Sequence, residues 1–446
     1  MPAAGDVRCA DSGFISAPPA HKKTEGGGKT FRQRKGAGQM REKNKQVQLK
    51  NYNRRSVLNY IRKNKTATKA GLSAASGLTF MAIKKILEEL EDLNLIRCDE
   101  LEGIGVGRKA VSYAVNEAYR YTIGIHINKF VTSVALMNLR GDILQIKRYG
   151  MEQDMGSQYA FVDMLADGVR EVAAQAKIER EKILGVGVGV PGPLDTKSDI
   201  VLTPPNIPML RYLPLKEILE EKTGYPVFMQ KDTNVIAFGE YWYGNAKDTY
   251  DLTYIDVDMG IGSGLIIDGR MNIGANSIAG EFGHIILDVN GPLCNCGNRG
   301  CLEAMSSGIA ILKELRRQLE TQRAHPLYEK REKLVIGDVF EMAGKKDLLT
   351  ISILNQSAFY VGIAIANLIN ILDPQKIVLG GILIQRYPRY FDIVKDVANS
   401  HKVKGAREND MEISSLGENA GVIGAGEVVA DHFFSEAVNE VFVKNG

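Results

Sequence analysis

The sequence of 446 residues has little cysteine, a single tryptophan and no long apolar run. Its five cysteines are an odd number in a chain without a signal-peptide pattern, which argues against a secreted disulfide framework. A membrane span needs roughly 18 to 20 apolar residues. The nearest candidate, Val361–Leu372, is shorter and carries Asn367 and Asn370, so we predict a core helix there. We therefore expect a globular, cytoplasmic protein.

Net charge is also small, at +3, but it is unevenly distributed. Residues 1–117 hold 22 Lys and Arg against 12 Asp and Glu, whereas residues 118–446 hold 34 against 41. A basic first quarter on an acidic body is typical of a nucleic-acid-binding module joined to a domain with another ligand. A basic segment without function is the alternative, since thirteen of these basic residues precede Ser56. The length favours two or three domains.

One histidine and three cysteines fall within eighteen residues, as His284, Cys294, Cys296 and Cys301. One nitrogen and three sulfurs are the ligand set of a closed, tetrahedral, structural zinc site. The C-x-C-x4-C spacing lets one glycine-rich loop supply three thiolates. The alternatives are three buried thiols, or a disulfide with one cysteine left over. We predict that these four residues bind structural Zn²⁺.

The whole segment Gly280–Glu303 resembles the zinc signature of the ROK family, which contains sugar-responsive transcriptional repressors and sugar kinases. The resemblance extends over residues 50–446, with Asp373–Gly381 and Ala420–Gly426 close to family patterns. It implies an α/β fold: a two-lobed, actin-like (ribonuclease H-like) sugar kinase-type domain with a ligand cleft between the lobes.

Three regions are expected along the chain. Residues 1–45 are predicted to be a disordered basic leader, because residues 18–19 and 26–28 are prolines and glycines and no amphipathic period is present. Met40 opens a more regular segment, so we expect the native start there. Residues 50–117 are predicted to form a winged helix-turn-helix, and residues 120–446 the sugar-sensing domain with its zinc loop at 284–301.

The helix-turn-helix is predicted from caps and apolar spacing. Thr68 and Thr79 precede the second and third helices, and Gly77 turns the chain between them. The third helix repeats apolar residues at three- and four-residue spacing and leaves a polar face free. Two alternating segments, 95–98 and 111–115, flank a glycine-rich tip at 103–109 and predict a wing.

We expect the free face of the third helix to enter the major groove of operator DNA. The predicted phosphate or minor-groove contacts are Lys69, Lys84, Lys85 and, by resemblance, Arg108. The predicted contacts to base edges are Thr79, Met81 and Ala82. A three-helix module that binds another protein, with its lysines merely solvated, is the alternative.

From Tyr121 onward, strand-like and helix-like segments alternate twice, as in duplicated α/β lobes. The predicted strands are 122–127, 133–138, 183–190, 227–230, 252–257, 264–267 and 377–379. The predicted helices are 157–177, 214–223, 233–243, 306–322 and 353–372.

Two segments distinguish a kinase from a sensor. By resemblance, the first phosphate segment of the family kinases reads D-x-G-x-T, and this chain has residues 126–130, H-I-N-K-F, in its place. The second segment includes Asp258, which would add negative charge beside a triphosphate. Phosphoryl transfer depends on positioning and charge neutralisation. We therefore expect no ATP-dependent catalysis, with an ATP-dependent sugar kinase as the alternative.

The sugar-contacting positions of the family are better preserved. The resemblance assigns sugar binding to Gly192, Asp232, Glu281, His284 and Glu303. Carboxylates suit polyols because they accept hydrogen bonds from neighbouring hydroxyls. Lys231 stands where the family usually has asparagine, and it either favours a phosphorylated or acidic sugar or pairs with a neighbouring acid.

The sequence as a whole predicts a sugar-responsive repressor of carbohydrate-utilisation genes that acts as a homodimer or homotetramer without a membrane partner. Besides the sugar kinase, a protein-interaction hub is the second alternative to this function.

Overall fold

The structure, a computed structural model, describes residues 31–100, 111–151, 157–204 and 207–444. The chain divides into two compact units, Met1–Tyr52 and Asn53–Gly446. In the first unit, the described residues 31–52 are all helical. The candidate site lies in the second unit.

The helices and strands of the described residues follow in chain order. The helices are α1 (Phe31–Asn64), α2 (Lys69–Ser76), α3 (Phe80–Asp92), α4 (Gln158–Ala176), α5 (Leu215–Thr223), α6 (Asp232–Tyr243), α7 (Leu302–Ser306), α8 (Gly308–Leu319), α9 (Ile336–Gly344), α10 (Leu348–Leu372), α11 (Ile382–Arg386), α12 (Pro388–His401) and α13 (Ala420–Lys444). The strands are β1 (Thr66–Thr68), β2 (Ile96–Glu100), β3 (Val111–Val115), β4 (Tyr121–Ile127), β5 (Val131–Asn138), β6 (Ile143–Gly150), β7 (Ile183–Val190), β8 (Leu194–Asp195), β9 (Ile200–Val201), β10 (Val227–Lys231), β11 (Leu252–Val257), β12 (Ile261–Ile267), β13 (Arg270–Met271), β14 (Lys376–Gly380) and β15 (Asp410–Ile413).

Residues 53–115, which we call the N-terminal subdomain, contain the end of α1, helices α2 and α3, and the antiparallel sheet β1-β3-β2. The Thr68 side chain accepts the N–H of Gly71 at 3.1 Å, and that of Thr79 accepts the N–H of Ala82 at 3.3 Å. Gly77 lies between the two helices in the left-handed conformation, with φ of 69°. Both predicted caps and the predicted turn are therefore confirmed.

The first helix differs from the prediction. The sequence predicts disorder to residue 45 and a short helix from Asn53, whereas α1 is a single helix over Phe31–Asn64. Long unbranched Arg, Lys and Gln side chains, which are good helix formers, dominate residues 32–50 and account for the difference. Residues 1–30, and the predicted wing tip 103–109 with Arg108, lie outside the described residues.

Two five-stranded sheets define the lobes. Lobe 1 (residues 121–231) has the strand order β10-β7-β4-β5-β6, and lobe 2 (residues 252–413) has the order β13-β12-β11-β14-β15. In each sheet the first three strands in sequence pair antiparallel with one another. The fourth strand pairs in parallel with the first, and the fifth pairs in parallel with the fourth. The same pattern in both sheets confirms the predicted duplication of α/β lobes.

Two helices join the parts of the second unit. Helix α6 follows the last strand of lobe 1 and packs on β11 and β12 of lobe 2, while α13 packs on α6 and on β4 and β7 of lobe 1. Ala430, Phe434 and Val438 of α13 also belong to the apolar core of the N-terminal subdomain. Helices α6 and α13 therefore contact both the cleft-forming lobes and the N-terminal subdomain.

Helix α10 is longer than predicted, since it begins at Leu348 rather than at residue 353. It is the one helix of the described residues that is long and apolar enough to cross a membrane. Its side chains Ile353, Leu354, Val361 and Ile365 are buried in the core of lobe 2, and α12 packs along it. The predicted role as a core helix is confirmed.

Candidate functional site

A cavity of about 740 Å³ lies between the lobes. All five residues predicted to bind sugar line it: Gly192, Asp232, Glu281, His284 and Glu303. Gly192 follows β7, Asp232 begins α6, and the other three belong to lobe 2. The fold thus brings side chains that are distant in sequence to one cleft.

Asp232 lies where β10 ends and α6 begins. Its carboxylate accepts the N–H of Thr233 at 2.7 Å. Burial raises the pKa of Asp232 to about 6; the Thr233 amide and Lys231 act in the opposite direction, and Glu281 adds to the rise. At neutral pH the group is therefore an ionised acceptor, and it can take hydrogen bonds from two neighbouring hydroxyls.

Lys231 crosses from lobe 1 to lobe 2. Its Nζ donates to Oε1 of Glu281 at 2.9 Å and to the carbonyl oxygens of Ala279 and Gly280 at 3.3 and 3.4 Å. Of the two roles that the sequence left open for this lysine, pairing with a neighbouring acid is the one seen here.

In lobe 2, one turn of 3-10 helix, Phe282–His284, follows Glu281 and includes His284, while Glu303 lies in α7. Oε2 of Glu281 lies 3.9 Å from Nε2 of His284. Glu303 accepts the N–H of Ile261 at 3.0 Å, which directs its carboxylate toward β12. Gly283 allows the close approach, because a Cβ there would lie 2.1 Å from the carbonyl oxygen of Ile261.

His284, Cys294, Cys296 and Cys301 converge as predicted, with their ligand atoms all within 4.8 Å of one another. Sγ of Cys296 lies 3.6 Å from Sγ of Cys301, and Nδ1 of His284 lies 3.7 Å from Sγ of Cys294. Zn–S bonds of about 2.3 Å at tetrahedral angles place sulfurs ~3.8 Å apart. The donor set and its spacing therefore fit a tetrahedral metal ion.

The loop geometry and the chemistry of the thiols also suit a metal. A Cβ at Gly300 would lie 1.5 Å from the carbonyl oxygen of Asp288, so only glycine fits there. Burial raises the pKa of Cys301 to about 12. Since a metal ligand is the thiolate, the ionised form of this buried sulfur requires a nearby cation.

The predicted phosphate segments border the same cavity, which Asn128, Phe130 and Asp258 line. The Asp258 carboxylate accepts the N–H groups of Met259 and Ile382 at 2.6 and 3.3 Å. Burial raises the pKa of Asp258, and burial also raises the pKa of Asp256 to about 8. At neutral pH Asp256 is therefore largely protonated, and Asp258 adds an acidic group beside it, where a triphosphate would need positive or neutral groups.

His126 is the residue that the sequence resemblance predicts at the aspartate position of D-x-G-x-T. Burial lowers its pKa to about 4, so the ring is neutral at physiological pH. The ring lies against α13, where a Cβ on Gly421 would be 2.4 Å from it. The side chain of His126 is therefore a neutral imidazole packed against a helix.

The predicted DNA-binding residues lie on the N-terminal subdomain. Thr79, Met81, Lys84 and Lys85 are exposed, Lys69 and Ala82 are half-buried, and Arg108 lies outside the described residues. On the opposite side of α3, Ile83, Ile86, Leu87 and Leu90 are buried. The third helix therefore presents one free face, as predicted.

Two features of these sites were not predicted from the sequence. Phe80, beside Met81, is 59% exposed at the start of α3. The hydroxyls of Thr196 and Ser277 form a hydrogen bond, and both residues line the cavity. The exposure of Phe80 could have been predicted from its position on α3. The contact between two hydroxyls that are far apart in sequence could not, because nothing in the neighbouring residues indicates it.

Residues 122–432 match the ROK family, and the chain belongs to that family. It is 31% identical to a xylose repressor of Bacillus spizizenii over 391 residues, which cover 87% of this chain and 97% of the relative. It is 30% identical to a glucokinase of Halalkalibacterium halodurans over 315 residues, which cover 70% and 95%. A solved ROK family transcriptional regulator, a homologue of the Escherichia coli MLC protein, is 27% identical, with a TM-score of 0.71 over 88% of this chain and 99% of that one.

Proposed function

We propose that this protein is a sugar-responsive, DNA-binding transcriptional repressor whose operator affinity changes when a sugar binds between the lobes. The observation that carries the proposal is the convergence of Asp232, Glu281, His284 and Glu303 on one cleft, in a chain whose α3 leaves one face exposed. The repressor relative aligns over 391 residues and the glucokinase over 315. The difference is close to the size of the N-terminal subdomain.

The N-terminal subdomain acts as a winged helix-turn-helix in this proposal. Its α3 enters the major groove, with Lys84 and Lys85 near phosphates and Met81 near base edges. A homodimer would present two such helices to successive groove faces, about 34 to 36 Å apart. Sugar binding would change the arrangement of the lobes and this spacing. A coupling of about 1 to 3 kcal/mol is enough for a 5- to 150-fold change in operator affinity.

The cleft serves as a sugar sensor rather than as a kinase active site. His126 lacks the carboxylate for Mg²⁺ and is packed against Gly421, while Asp256 and Asp258 add acidic groups on the phosphate side. The glucokinase relative makes ATP-dependent sugar phosphorylation the rival activity. That rival requires ATP turnover which disappears when Asp232 is replaced by asparagine.

His284, Cys294, Cys296 and Cys301 would hold one structural Zn²⁺. A bound ion supplies the positive charge that keeps the buried thiols ionised. With Nδ1 directed at the sulfurs, Nε2 of His284 faces Glu281 and can donate to it or to a ligand hydroxyl. The protein then works in the cytoplasm with operator DNA and a sugar as its partners.

Binding to the intergenic DNA beside its own gene tests the proposal. The full chain should bind this DNA with an affinity that falls steeply with salt, and one member of a sugar panel headed by xylose should change that affinity at least 5-fold. Substitution of both Lys84 and Lys85 by alanine should weaken binding and lower the salt dependence. The matched control is Lys345→Ala, an exposed lysine in the turn that follows α9 of lobe 2.

Two results would contradict the proposal. Binding that is insensitive to salt and unchanged by the double lysine substitution would favour the protein-interaction hub. ATP consumption with accumulation of a sugar phosphate would favour the kinase.

A further inference from the structure

Lys231 has no donor left for a ligand. It is the last residue of β10, and its side chain is only 11% exposed. An ammonium group has three N–H donors, and three acceptors surround this one: Oε1 of Glu281 and the carbonyl oxygens of Ala279 and Gly280. The cation of Lys231 is therefore used within the protein.

The loop after β7 holds the lysine stem in this position. A Cβ on Gly192 would lie 3.3 Å from Cδ and 3.6 Å from Cγ of Lys231, so the loop passes directly over the side chain. The loop and the lysine belong to lobe 1, and Glu281 belongs to lobe 2. The ion pair is thus a contact between lobes at the edge of the cleft.

The charge of the cleft is negative once this pair is formed. The acidic residues among the described residues that line it are Asp195, Asp232, Asp256, Asp258, Glu281 and Glu303. Asp256 is largely protonated at neutral pH, because burial raises its pKa to about 8. The lysines among the same residues are Lys129 and Lys231, and Lys129 lies close enough to Asp258 to oppose the rise in its pKa that burial causes. An added phosphate or carboxylate would face several like charges without a free ammonium group.

We infer that Lys231 determines the effector class of this sensor: by holding Oε1 of Glu281 and leaving Oε2 for a hydroxyl, it selects an uncharged sugar and disfavours sugar phosphates and sugar acids. This inference rests on the proposed sensor function. Lys231 is a positioning residue, since it acts on the sugar through Glu281. Without the lysine, Glu281 loses its orientation and its charge is no longer balanced beside Asp232.

Calorimetry on the full chain tests the assignment with four probes: xylose, glucose, glucose 6-phosphate and glucuronate. The wild type should bind a neutral sugar at least 10-fold more tightly than either anionic form. Lys231→Met should weaken the neutral sugar about 10-fold or more, the loss expected for one charge-assisted contact, without creating affinity for the anions. Thermal unfolding of each variant shows whether the fold is retained.

Glu281→Gln gives a reciprocal test. It removes the carboxylate partner of Lys231, so the freed ammonium should raise the affinity for glucuronate relative to glucose by at least a few-fold. A folded Glu281→Gln protein with an unchanged ratio would count against the assignment, even if Lys231→Met failed to fold.

Tighter binding of an anionic sugar to the wild type, lost in Lys231→Met, would overturn the assignment and leave the sensor function intact. Absence of binding by all four probes, together with operator affinity that no sugar changes, would instead contradict the sensor function and the assignment with it.

Discussion

At the scale of single residues, Asp232 is the acceptor on which sugar binding most depends. Asp232→Asn replaces one ionised oxygen by an amide donor at the junction of β10 and α6. We expect the affinity for the effector sugar to fall about 10- to 150-fold, which corresponds to roughly 1.5 to 3 kcal/mol for a charge-assisted hydrogen bond. Calorimetry measures this loss, and thermal unfolding checks that the fold is unchanged.

Asp268→Asn is the matched control, because Asp268 is exposed in the turn between β12 and β13 and does not line the cleft. Its sugar affinity should equal that of the wild type. If Asp232→Asn also bound the sugar normally, the carboxylate would have no part in recognition.

The raised pKa of Asp232 predicts a pH dependence of sugar binding. Burial raises the pKa of Asp232 to about 6. The positive charge of Lys231 opposes this rise, and Glu281 and Asp256 are the neighbouring acids. Above pH 6 the carboxylate is ionised and accepts charge-assisted hydrogen bonds; below pH 6 protonation removes the charge and turns one oxygen into a donor. The affinity should therefore fall as the pH drops through about 6, approaching tenfold per pH unit.

Titration calorimetry between pH 5 and pH 8 follows this change. Asp232→Asn should show a flatter profile over the same range. A wild-type affinity that rose on acidification would show that another group controls binding.

At the scale of elements, the loop 284–301 should depend on the proposed Zn²⁺ ion. Cys296→Ser removes one of four ligands, and we expect loss of bound zinc together with a lower melting temperature, because metal binding and local folding are coupled. Zinc content by mass spectrometry and unfolding with and without a chelator measure both effects. Cys98→Ser, an exposed cysteine of β2, should keep the zinc content of the wild type.

Equal zinc content in the two cysteine variants would place the metal elsewhere. Unfolding that a chelator does not affect would leave the loop held by its backbone turns alone.

Helices and strands with a clear periodicity of apolar residues, or with clear capping residues, could be predicted from the sequence. Strand β11 has the predicted bounds, and α2 and α3 begin at the predicted caps. Helix α13 was missed, because Gly421, Gly424 and Gly426 lower the helix propensity at its start. These glycines allow close packing between helices: a Cβ at Gly424 would lie 1.6 Å from the carbonyl oxygen of Val235 in α6.

Edge strands and long-range pairs were equally hard to predict. Strand β6 alternates half-buried and exposed residues at the edge of the lobe 1 sheet, so its apolar signal is weak. The zinc-type cluster was predictable because its ligands are close in sequence. The sequence left open that Lys231 pairs with an acid, but it did not identify Glu281, since fifty residues separate the partners and only the fold brings them together.

At the scale of the whole molecule, α6 connects the cleft to the N-terminal subdomain. It begins with Asp232 and ends with Trp242 and Tyr243. The guanidinium of Arg62, from the end of α1, lies 3.8 Å from the centre of the Trp242 ring and forms a buried ion pair with Glu427 of α13. The Tyr243 hydroxyl donates to the same carboxylate at 2.5 Å. A shift of α6 on sugar binding would therefore act directly on α1.

Tyr243→Phe tests this connection, because it removes the hydroxyl that ties α6 to Glu427 and keeps the ring and the Arg62 pair. We expect sugar-free operator affinity to remain within about 2-fold of the wild type, while the factor by which sugar changes it falls by several-fold. Coupling is reciprocal, so the factor by which operator DNA changes sugar affinity must fall equally. Tyr159→Phe, which alters an exposed ring on α4, is the control. A Tyr243→Phe protein with wild-type coupling in both measurements would mean that the signal reaches α1 by another route.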